Sequence, residues 1–85
     1  MRYADNHCTY TEQYRPRHTY TFTGKCVVTG KPHSVTVPAA ELYAYRSGAY
    51  IQNAMPSVSA EDREFLMSGY SPAGWARAFP QEDET

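Results

Sequence analysis

The stretch HTYTFTGKCVVTGKPHSVTVP, residues 18–38, decides how this chain folds. Its opening alternates strictly. Tyr20 and Phe22 fall on one side of an extended backbone, and Thr19, Thr21 and Thr23 fall on the other. A period of two marks a half-buried strand. Val and Thr, which suit a pleated surface, dominate both flanks of Gly30-Lys31-Pro32, and those three residues supply turn chemistry. The simplest assignment is an antiparallel β-meander over residues 18–37, with strands near 18–24, 25–29 and 34–37. Val35 and Val37 then share a face, with Cys26 and Val28 opposite them on the core side, and Pro38 ends the sheet.

Upstream, residues 1–17 hold no sustained period and close on the Arg- and Pro-punctuated YRPRH. They read as an extended N-terminal arm with a short strand near Cys8–Glu12. Downstream the period changes. AAELYAYRSG places Leu42 and Tyr45 on one helical face, with Gly48 as its stop. AYIQNAMP is a shorter turn that pairs Ile51 with Met55. In SVSAEDREFLMSG, Ser59 precedes a carboxylate by three residues, the pattern of a capping box with Asp62 in the Glu position. Phe65 and Leu66 carry the apolar stripe and Gly69 closes it. Ser71 before Pro72 starts one more helix, on which Trp75 and Phe79 form a ridge. The expectation is an α+β fold: a meander followed by three or four short helices. One domain spans 18–80, and QEDET, residues 81–85, is an acidic flexible tail.

Eighty-five residues allow one domain near the lower size limit for folding without a staple. Aliphatic residues are scarce, so the eight tyrosines and Trp75 must supply much of the buried area. The net charge of −1 conceals a split: residues 1–33 carry +3 and residues 34–85 carry −4. Neither value suits a protein that coats duplex nucleic acid. No apolar run approaches the roughly 20 residues of a membrane span. MRYADNHCTY has no apolar core of a secretory signal, which points to the cytoplasm. A reducing compartment makes a Cys8–Cys26 disulfide improbable.

Several kinds of site chemistry come into question for these residues. Glu61, Asp62 and Glu64 sit within one helical turn, where the helix dipole stabilises negative charge. The next helix supplies no His and no further acid to make an acid–base or metal pair. Cys8, His18, Cys26 and His33, with His7 beside Cys8, are candidate zinc ligands, but their spacing departs from the close pairs of structural zinc sites. Activated thiol chemistry would need a neighbouring His and a cleft, and a thiol in a strand is more often packing. No phosphate-loop spacing is present. In YRPRHTYTFTGK, Tyr14, Arg15, Arg17, His18, Tyr20 and Lys25 interleave rings with cations, as in single-strand nucleic-acid grooves. No cofactor is implied, and no enzymatic activity.

The succession CVVTGKPHSVTVP, GAYIQNAMPSVSAEDREFLMSG and SPAGWARAF resembles a group of short reading frames from bacteriophages and mobile elements. The matching positions are Cys26 to Lys31, Gly48 to Pro56, Arg63 to Gly69, and Trp75 with Phe79. The resemblance implies a phage setting, in which proteins of this size, such as anti-CRISPR proteins, act by binding in the cytoplasm of a bacterial host. It implies a non-enzymatic inhibitor of a host protein or ribonucleoprotein complex, such as a CRISPR effector. Glu61, Asp62, Glu64, Glu82, Asp83 and Glu84 would then face basic residues that grip phosphate, with Tyr43 and Tyr50 as rim anchors.

Overall fold

A computed structural model describes residues 1–80 of the chain. Eight elements run in order: α1 (Arg2–His7), β1 (Thr9–Gln13), β2 (Thr19–Lys25), β3 (Pro32–Pro38), α2 (Ala39–Arg46), α3 (Ile51–Ala54), α4 (Ala60–Ser68) and α5 (Pro72–Ala78). The strands form one antiparallel sheet in the order β1-β2-β3. The fold class is therefore α+β, with helices packed against one face of a meander.

The alternation expected of residues 18–24 is present. Phe22 pairs with Val35 and Tyr20 with Val37, so these four side chains point to the same side. Phe22, Val35 and Val37 are buried there against Leu42, Met55, Phe65 and Leu66. The opposite face is lined with hydroxyls. Thr21 pairs with Thr36 at 2.9 Å and Thr23 with Ser34 at 2.7 Å, each bond crossing between strands.

Two expectations about the sheet need correction. Residues 25–29 do not form a strand beyond Lys25. Residues 26–29 are a turn closed by Gly30 N–H donating to the Cys26 carbonyl and Cys26 N–H to that of Lys31. Val27 N–H donates to the Gly69 carbonyl, so a contact from α4's end displaces strand pairing. The third strand is instead β1, close to the short strand expected near Cys8–Glu12, within a segment otherwise read as an extended arm. That arm is not free-standing: it folds as α1 and β1, and Met1 and Ala4 are buried in the core. Tyr3 packs edge-on against Phe65 at 5.6 Å, which ties α1 to α4.

The helices after the sheet match their sequence signals closely. Pro38 ends β3 and caps α2. Ser59 Oγ accepts from Asp62 N–H, and Ser71 Oγ accepts from Gly74 N–H, so both serines cap as their positions suggest. Gly69 closes α4 at φ 87°, and a Cβ there would press into Tyr3 and Val27. No helix among the described residues is long and apolar enough to cross a membrane. The acidic tail, residues 81–85, lies outside the described residues.

Candidate functional site

The strand period also decides which side chains meet at the open edge of the sheet. On β1, Tyr10 lies opposite Phe22 and Glu12 opposite Tyr20, so both face the helical side. The helices cover that side over β2 and β3 but stop short of β1. Tyr10 is consequently 63% exposed while Phe22, its cross-strand neighbour, is 3% exposed. The apolar face of the sheet thus runs past the elements that bury it.

The same side continues beyond the strand ends into Tyr14 and His18. Their rings stack with centroids 4.7 Å apart and 16° between planes. Tyr43 arrives from α2, its ring 6.2 Å from those of His18 and Tyr20, and its hydroxyl 2.9 Å from that of Tyr20. Tyr10 completes the group, 6.0 Å from Tyr20 and 5.9 Å from Phe22. These separations fall in the range of favourable offset and edge contacts. Glu12 sits within the group and accepts from His18 Nε2 at 2.5 Å and from the Tyr20 hydroxyl at 3.0 Å. The bond from His18 holds the Glu12 carboxyl below its usual range. Tyr43's bond, burial and Glu12 together push the Tyr20 hydroxyl up, so it stays protonated.

On the α1 side the aromatic group meets an ion pair. Arg46 Nη2 and Nη1 donate to the two oxygens of Asp5 at 2.8 and 3.4 Å. Arg46's bond is the leading cause that draws the Asp5 carboxyl down, against the opposing pull of desolvation. A cleft of about 300 Å³ lies between this pair and the rings. The arrangement offers rigid aromatic surface and hydrogen-bonded polar groups. Cys8 is part of its lining, but burial and the nearby Asp5 carboxylate push that thiol up, away from the thiolate.

The residues expected to bind nucleic acid divide. Tyr14, His18 and Tyr20 belong to the aromatic group, and Arg15 and Arg17 are exposed in the loop beside it. Lys25 ends β2 at its far end, about 20 Å away along a strand rising about 3.3 Å per residue, and does not join them. Of the two tyrosines expected as rim anchors, Tyr43 is central to the group. Tyr50 is exposed on a different segment. Tyr10 is not among the candidates that the sequence singles out, yet the alternation Tyr10-Glu12-Tyr14 is a period-two signal that would find it.

The acids of α4 also divide. Asp62 accepts from His33 Nε2 at 2.9 Å, so β3 supplies the His that α5 lacks. Glu61 and Glu64 instead line a groove of about 250 Å³ with Trp75. Trp75 and Phe79 form the expected ridge, with ring centroids 4.6 Å apart. Glu82, Asp83 and Glu84 lie outside the described residues.

The zinc candidates are not brought together. His18 is held by Glu12, His33 by Asp62, and Cys8 packs beside Gly24. Among the described residues no three metal-binding side chains converge. Cys26 is buried and accepts backbone N–H bonds from Val28 and Ser71, each at 3.4 Å. Burial pushes its thiol up, but bonds from the Ser71 side chain and from backbone N–H groups outweigh burial and bring it down to about 6. The thiol is thus activated in charge but closed to solvent, which suits packing more than catalysis.

Comparison with protein-family models, with curated proteins and with solved structures finds no match for this chain.

Proposed function

We propose that this protein is a non-enzymatic binding module that attaches to a partner protein through the aromatic group at the open edge of its sheet. One observation carries the reading: the side of the sheet that should be buried continues past its helices, leaving Tyr10, Tyr14 and Tyr43 in solvent at 63%, 68% and 49% exposure. Exposed contiguous aromatic surface marks interaction sites, and tyrosine is enriched in them. Hydrogen bonds among Glu12, His18, Tyr20 and Tyr43 already fix several of these side chains. Ordering them on association therefore loses less entropy.

Charge narrows the partner class. Glu61 and Glu64 present two carboxylates around Trp75, a surface suited to Lys or Arg side chains. A phage-encoded inhibitor that occludes a phosphate-gripping surface of a host defence complex, such as a CRISPR effector, has these requirements. A single-stranded nucleic acid is the second reading, favoured by Arg15 and Arg17 beside Tyr14 and His18. Glu12 weighs against it, since a phosphate chain crossing these rings would meet a carboxylate held ionised by His18.

Affinity capture from a bacterial lysate, with mass spectrometry and nucleic-acid staining, tests the choice. A host defence protein should be retained by the wild type and lost from a Tyr14→Ala/Tyr43→Ala variant. With that partner, Glu61→Gln/Glu64→Gln should slow association more than it speeds dissociation. Retention of RNA or single-stranded DNA alone, released steeply by salt, would give the nucleic-acid reading instead.

A further inference from the structure

The walls of the cleft of about 300 Å³ beside the aromatic group define what it would hold. Tyr10, Tyr20 and Tyr43 provide ring surface, Phe22 and Leu42 form an apolar lining, and Arg46 stands with Asp5 at its edge. The volume lies at the lower end of ligand-site sizes, room for one ring system rather than an extended molecule. Ring centroids around Tyr20 and Tyr10 lie 5.9 to 6.2 Å apart, the spacing at which aromatic rings pack on one another, and these rings line the cleft.

Electrostatics restrict the occupant further. Asp5 bonds both Arg46, at 2.8 and 3.4 Å, and the N-terminal ammonium of Met1, at 2.9 Å, so two cations share one carboxylate and the guanidinium is only partly neutralised. A cationic anchor entering it would lose water and meet like charge. A neutral planar group loses little, and the flat guanidinium, held in place by Asp5, can lie against its face. The hydroxyls of Tyr20 and Tyr43, bonded to each other at 2.9 Å, retain acceptor capacity for an N–H or O–H on that group. An apolar body with one polar handle describes tyrosine and tryptophan.

We propose that this cleft is an anchor site for one neutral aromatic side chain, Trp or Tyr, of a partner protein. The anchor rests on the reading of the aromatic face as a protein-binding surface and supplies its central contact. Such an anchor, seated in a pocket and ringed by weaker contacts, is where interface energy concentrates.

The test is a titration of isotope-labelled full chain with N-acetyl-tryptophanamide, monitored by NMR. N-acetyl-leucinamide, N-acetyl-argininamide and adenosine are run in parallel. Saturable shifts at Ala4, Leu42 and Tyr43 with a low-millimolar dissociation constant are expected for the tryptophan probe. Tyr10→Ala should weaken it about tenfold, the scale of one lost ring wall. Because Tyr10 is exposed, that variant should keep the wild-type spectrum elsewhere. No saturation, an equal response to the leucine probe, or indifference to Tyr10→Ala overturns the anchor. So does tighter binding of adenosine or of the arginine probe at the same residues. If the probe fails while lysate capture still depends on Tyr14 and Tyr43, the anchor alone is wrong. If capture ignores those rings, the functional reading itself fails.

Discussion

A Cβ placed on Gly74 would lie 2.3 Å from Cys26 Sγ, closer than any real contact. Neither residue can grow without moving the other, because both are buried where α5 meets the 26–29 turn. Gly74→Ala should therefore destabilise by about 1–3 kcal/mol, the scale of overpacking. Adding Cys26→Ala should return part of that loss, a coupling that urea unfolding of the double-mutant cycle would measure. The thiol also sets a pH dependence. Its folded value is about 6 against an ordinary 9.0, so between these pH values the unfolded chain binds the proton that the folded chain has released. Stability relative to Cys26→Ala should rise with pH through this window and be lost as pH falls toward 6. Unfolding of both proteins at several pH values from 6 to 9 checks the sign. Burial of Cys26 is legible from its Val-rich surroundings. The bonds to Ser71 are not, because Ser71 is 45 residues away in the chain.

At the scale of elements, helix ends are legible in the sequence because their chemistry is local. Ser59 and Gly69 bracket α4, and Ser71 with Pro72 opens α5, each satisfying groups within a few residues. Strand boundaries are less so, because their partners are distant. Cys26, Val27 and Val28 have strand-forming side chains, yet the Gly69 carbonyl takes Val27 N–H and the segment turns. The two caps give a ranked prediction. Ser59→Ala should lower stability by about 1 kcal/mol, a typical exposed cap. Ser71→Ala should cost more, since that side chain is buried and also serves Cys26. Chemical denaturation would reveal a reversed order, which would mean that the second cap carries no tertiary load.

Across the whole molecule, the sheet is wider than the layer of helices that covers it. β2 lies against α1 and β3 against α2, while β1 carries Tyr10 and Glu12 past the covered area. The α+β class and the core of Phe22, Val35, Val37, Leu42, Phe65 and Leu66 are implicit in the periodicity. A strand near Cys8–Glu12 is legible too, but α1 is not, because residues 1–7 show no amphipathic period and their burial depends on distant Phe65. Candidate site residues are legible singly, as tyrosines beside cations. Their convergence is not, since Tyr43 joins Tyr20 across 23 residues of chain. Whether this uncovered side is the contact surface is decided by cross-saturation NMR on the complex with the captured partner. Saturation should transfer to Tyr10, Tyr14, His18 and Tyr43, with Thr11, Thr21 and Thr36 unaffected. Transfer confined to those threonines, on the opposite face of the sheet, would refute the aromatic face as the site of binding.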